Sequence, residues 1–120
     1  MLNFYTYTER TMQKMQIPPT VKVAGHVLNV SILPFIDGGD SEGEYESGLS
    51  TIFIAERTMS GDKVIQQTAQ VKDACFIHEL LHAIDDIYNN AALPEEQIHR
   101  LSEGLYQVII DNPLIFTKGG

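Results

Sequence analysis

Tryptophan is missing from this chain, cysteine occurs once, and lysine plus arginine number only 8 against 16 aspartates and glutamates. The lone Cys75 rules out an internal disulfide and suits a reducing compartment. A formal net charge of −8 repels phosphate backbones and anionic lipids, so nucleic acid and membrane surfaces are poor partners and basic or neutral polypeptides fit better. No apolar run approaches the roughly 20 residues of a membrane span, and Met1-Leu2-Asn3-Phe4-Tyr5 lacks the basic flank and apolar core of a secretory leader. The expected compartment is the cytoplasm. What is present is an ordinary globular composition, 43% hydrophobic and 20% charged, in 120 residues that suffice for one core.

Ile17-Pro18-Pro19 stops any upstream helix, because proline removes an amide donor and biases its predecessor toward extended backbone. Residues 1–16 therefore read as an N-terminal extension and 17–120 as a single domain. Val21-Lys22-Val23 and Leu28-Asn29-Val30-Ser31-Ile32 alternate with period two about Ala24-Gly25-His26, which predicts a β-hairpin with His26 exposed at its tip. From Asp37 to Gly48, five acids and four glycines without periodicity read as a solvated loop that lacks the spacing of a calcium loop. Leu49 to Ala55 is β-branched and aromatic, a third strand. After a break at Ser60-Gly61-Asp62, a long helix is expected from about Gln67 to Asn89. A second starts at Leu93-Pro94-Glu95-Glu96 and ends near Asp111-Asn112-Pro113, and the apolar tail Leu114 to Thr117 could dock as an extra strand. The order β-β-β-α-α implies an α+β fold: a small three-stranded mixed or antiparallel sheet packed on a central helix and a C-terminal helix.

The central helix carries His78-Glu79-Leu80-Leu81-His82. Residues four apart stack on adjacent turns, so His78 and His82 aim at one point, while Glu79, rotated about 100°, is placed beside it. This is the H-E-x-x-H arrangement of a zinc site with a glutamate base. One stripe of the helix holds Val71, Ala74, Cys75, His78, Leu81, His82 and Asp85; the opposite one holds Phe76, Ile77, Leu80, Ile84 and Ile87. A helix apolar on both sides is buried, and buried imidazoles require partners. Cys75, one turn before His78, is either a soft ligand or a small packing residue, and packing is the plainer reading. Asp85, one turn after His82, is placed either to orient a ligand imidazole or simply at the helix rim.

His78-Glu79-Leu80-Leu81-His82-Ala83-Ile84-Asp85, followed after a short loop by a helix opening Glu95-Glu96-Gln97-Ile98-His99-Arg100-Leu101-Ser102, resembles the minimal gluzincin metallopeptidases and small phage-type proteins related to the ImmA/IrrE peptidases. The resemblance spans about residues 17 to 113 and implies a minimal zincin fold, Zn2+ as cofactor, His78 and His82 as ligands and Glu79 as catalytic base. It also implies a third ligand on the next helix. Apolar residues two, five and nine positions after that ligand match Ile98, Leu101 and Leu105 when counted from Glu96, which is the choice; Glu95 is the rival, since it projects about 100° closer to its helix's apolar stripe. Where relatives often carry a supporting asparagine, this chain has His99. The metzincin pattern is excluded, because the third and sixth positions after His82 are Asp85 and Tyr88 rather than glycine and histidine.

By the same analogy a peptide substrate is expected along Leu49–Ala55 as an edge strand beside the metal, with Tyr45, Tyr88 or Tyr106 stabilising the oxyanion. Three protein ligands leave a fourth zinc position for water, the mark of a catalytic site. A hydrolase acting on peptide bonds is the expectation. Its alternatives are a zinc-binding adaptor that lost productive substrate binding, and a zymogen in which residues 1–16 or 114–118 fill the substrate groove.

Overall fold

The computed structural model describes residues 15–116. Its main sheet contains β1 (Thr20–Val23), β2 (His26–Leu33), β3 (Gly43–Glu46) and β4 (Thr51–Ala55) in the spatial order β1-β2-β4-β3. Pairing is antiparallel between β1 and β2, parallel between β2 and β4, and antiparallel between β3 and β4. A separate two-stranded ribbon, β5 (Arg57–Ser60) with β6 (Lys63–Gln66), leads into the helices α1 (Ala69–Asn89) and α2 (Glu95–Asp111). The architecture is α+β, as expected, with more strands than the hydrophobic pattern reveals. No helix among the described residues is long and apolar enough to cross a membrane.

Local chemistry explains the joints. Ala24 and Gly25 both take positive φ, 53° and 85°, the backbone of a two-residue hairpin turn whose twist matches its strands. Thr68 caps α1 by accepting the Val71 amide at 3.1 Å. Just before it, buried Gln67 donates through Nε2 to the Ala55 carbonyl at 2.6 Å and the Glu42 carbonyl at 3.4 Å, tying the start of α1 to the sheet. Val23, Leu28, Ile52 and Ile54 of the sheet meet Phe76, Ile77 and Ala83 of α1 in the core. Leu80, Ile84 and Ile87 pack around them, so the apolar stripe read from sequence is the stripe that faces the sheet.

Three expectations require correction. Gly43–Glu46 is a strand, not loop: with Tyr45 as its sole large apolar residue it carries no apolar stripe for sequence to show, and it owes its conformation to backbone pairing with β4. That pairing makes β4 an interior strand, so Leu49–Ala55 is not an edge; among the described strands the edges of this sheet are β1 and β3, and β3 is the one next to β4. The strand also starts late, because Ser47–Leu49 forms a 3-10 turn closed by Ser50 at φ 48°. Lastly, Pro113–Phe116 is a 3-10 turn rather than a strand, with Leu114 81% exposed. The proposed extension 1–16 lies outside the described residues except for Met15 and Gln16, of which Met15 packs on the core.

Ile54 is fully buried on the central strand, so Ile54→Ala should cost about 2–5 kcal/mol. Leu114→Ala should stay within about 0.5 kcal/mol. Urea unfolding midpoints of the two variants check this difference.

Candidate metal centre

His78 and His82 stand one turn apart on α1, on the side away from the core, with ring centroids 5.0 Å apart. Glu95, the first residue of α2, inserts its carboxylate between them: Oε1 lies 2.8 Å from His78 Nε2 and Oε2 2.7 Å from His82 Nε2. The three side chains each offer a ligand atom, all within 4.8 Å of one another, and could hold a metal ion.

The other nitrogen of His78 sharpens this. Its Nδ1 is 3.3 Å from Ser102 Oγ, whose own proton goes to the His99 carbonyl at 2.9 Å. In the tautomer in which Ser102 Oγ accepts from Nδ1–H, the lone pair of Nε2 faces Glu95. A lone pair 2.8 Å from a carboxylate oxygen is repulsive unless a positive charge, proton or metal, is shared between them. A hydrogen bond to the far nitrogen is also how metal-binding histidines are usually oriented. Ser102 is 3% exposed, a buried hydroxyl on the inner face of α2. Sequence reasoning passed over it; the signal available was a serine one turn after Ile98 on the helix's packed side.

Glu96, chosen in sequence as the third ligand, is not in the group. It points to solvent and pairs with Arg100 one turn along α2. The apolar register fixes which side of α2 packs, but not where the first turn of α2 sits relative to α1. Asp85 fixes that. Its buried carboxylate accepts the Asn89 side-chain amide at 2.9 Å and the Leu93 N–H at 3.2 and 3.3 Å, and its carbonyl accepts the amides of Asn90 and Ala91. With Asn90 and Ala91 both at positive φ, the turn is clasped so that α2 opens at Glu95 facing the imidazoles. Asp85 thus holds the interhelical turn, not an imidazole.

Glu79 is 8% exposed and accepts the backbone N–H of Tyr45 from β3. Burial, then the negative charge of Glu95, push its carboxyl up to about 7, with the Tyr45 amide opposing and Glu44 adding to the rise. Gly43 permits this closeness. A Cβ there would collide with Cys75 Sγ and lie 3.3 Å from Glu79 Cγ, so the approach of β3 to α1 at this point requires glycine. Cys75 packs beneath it, and burial with Glu79 and Glu42 nearby raises its thiol to about 12. It is a packing residue, outside the His78/His82/Glu95 group.

Two clefts, of about 510 and 490 Å³, flank the group and share Gly43, Glu79 and Glu95 in their walls. His99 lines the first, its ring 5.9 Å from that of His78 and its Nε2 3.0 Å from Glu103. Of the three tyrosines singled out, Tyr45 lines the second, its hydroxyl donating to Asp86 at 2.8 Å. Tyr88 is exposed and Tyr106 packs on the core; neither is in the walls of these two clefts. His26 is exposed at the hairpin, as expected.

No family model, curated protein or solved structure matches this chain.

Removing a residue that supports a metal ligand typically costs about 10–100-fold in affinity. Ser102→Ala should fall in that range, Glu95→Ala should exceed it, and Glu96→Ala should bind metal like the wild type. Competitive titration of zinc against a chromophoric chelator measures all three.

Proposed function

We propose that this protein is a zinc-dependent peptidase with a minimal zincin arrangement. The convergence of His78, His82 and Glu95 beside a buried Glu79 carries the reading. Two imidazole nitrogens and one carboxylate oxygen are the donor set of a catalytic rather than a closed structural zinc site. A tetrahedral site with bonds of about 2.1 Å separates its ligand atoms by about 3.4 Å. Donors already 2.7–2.8 Å from the carboxylate and within 4.8 Å of one another need only small side-chain adjustments to match.

Bound there, zinc would supply a water acidified to a pKa of about 7 and polarisation of the scissile carbonyl. The chain's residues do the rest. His78, His82 and Glu95 hold the ion; Ser102 keeps His78 in the tautomer that presents Nε2. Glu79 is the proton acceptor, held on the rim of both clefts by the Tyr45 amide, and returns the proton to the leaving amine. A substrate backbone would run along β3, the edge strand that borders both clefts, rather than along β4.

Glu79→Gln keeps shape and helix propensity while removing the base. The zinc-loaded variant should bind one zinc per chain, as the wild type does, and hydrolyse peptides at least about 100-fold more slowly. Elemental analysis gives the first quantity and a quenched-fluorescent peptide library the second. Equal turnover by the two proteins would leave a zinc-binding adaptor as the better account.

A further inference from the structure

The two clefts share Gly43, Glu79 and Glu95 in their walls, and an extended segment laid along β3 past that shared wall would occupy both, as one trough. Beyond the meeting point one end is walled by Asp40, Glu42 and Glu103 and the other by Glu44, Glu46 and Asp86. Among the described residues, neither wall contains lysine or arginine. Three of the described cations have partners elsewhere: Lys72 pairs with Glu56 at 2.5 Å, Arg100 with Glu96, and Arg57 lies 5.3 Å over the Phe35 ring.

Some of these acids are answered, Glu103 by His99 at 3.0 Å and Asp86 by the Tyr45 hydroxyl. Asp40, Glu42, Glu44 and Glu46 have no ion-pair partner among the described residues. Glu44 registers the crowding, its pKa raised by burial and then by the like charges of Asp37 and Glu46. On β3 the acids alternate with Gly43 and Tyr45, so carboxylates recur along the strand on which an extended chain would lie. A cleft lined by one sign of charge concentrates the field of that charge within it.

We infer that the trough selects cationic polypeptide segments, with lysine or arginine on both sides of the position facing Glu79. The inference rests on the peptidase reading for the bond that is cut, and adds the class of chain that presents it. A single exposed ion pair contributes little. Selectivity comes from several pairs formed along one extended segment, and equally from repulsion of acidic segments by the unpaired carboxylates.

The test uses the full chain loaded with zinc, and three fluorescent peptides of equal length whose variable positions are all lysine, all glutamine or all glutamate. Binding is followed by anisotropy to the Glu79→Gln protein, so that turnover does not interfere, and cleavage is followed with the wild type. The lysine peptide should bind about tenfold or more tightly than the glutamine peptide at about 50 mM salt, with the advantage largely lost at about 500 mM. The glutamate peptide should bind weakest. A Glu42→Gln/Glu44→Gln variant whose circular dichroism matches the parent should lose most of the lysine preference. Equal affinity for the lysine and glutamine peptides overturns the proposal, as does cleavage by the wild type without regard to charge, which leaves the peptidase reading intact. Selective binding of the lysine peptide with no cleavage of any peptide supports selection by the trough and overturns the peptidase reading instead.

Discussion

One carboxylate between two imidazoles governs the arrangement of the helices. The oxygens of Glu95 reach His78 and His82 at 2.8 and 2.7 Å, and this is possible only if α2 begins at the correct residue, at the correct height beside α1. Asp85 supplies that constraint. A buried carboxylate is costly unless its oxygens are satisfied, and Asp85 satisfies them with the Asn89 amide and the Leu93 N–H, both in or next to the turn it stabilises. The cost of burying the charge and the shape of the turn are thereby coupled. Ser102 completes the frame from the opposite helix by holding the far nitrogen of His78.

The sheet's part is to bring a backbone edge up to the same helix. β4 lies between β2 and β3, and the buried side chains of Ile52 and Ile54 anchor it to α1. β3 is thereby carried across the turn of α1 that bears Cys75 and Glu79, where only glycine fits at position 43. Contact at that crossing shields Glu79 from water and gives it a backbone amide from Tyr45. Burial of an acid next to a histidine pair and beside an open cleft is an arrangement with a stability cost.

Much of this was legible in the sequence, for identifiable reasons. His78, Glu79 and His82 occur within one helical repeat, so their relative placement follows from local geometry alone. The stripe from Phe76 to Ile87 was legible because burial imposes the helical period on it. What escaped reading depended on partners distant in the chain. Gly43–Glu46 is extended because β4 pairs with it, and no pattern within four residues announces that. The third member of the group, Glu95, stands one residue before the one chosen from sequence, since Glu95 and Glu96 differ by a rotation about α2, and the turn that orients α2 is held by Asp85 on a different helix. Ser102 is recognisable only once His78 is seen across the helix interface.

The proposed centre is tested most directly by X-ray absorption at the zinc edge on the zinc-loaded protein. The account predicts a shell of nitrogen and oxygen scatterers at about 2.0–2.2 Å, with the multiple scattering of two imidazoles, which is lost stepwise on His78→Ala and His82→Ala. A sulfur scatterer at about 2.3 Å, which would bring Cys75 into the site, or a shell of oxygens without imidazole scattering, would contradict it.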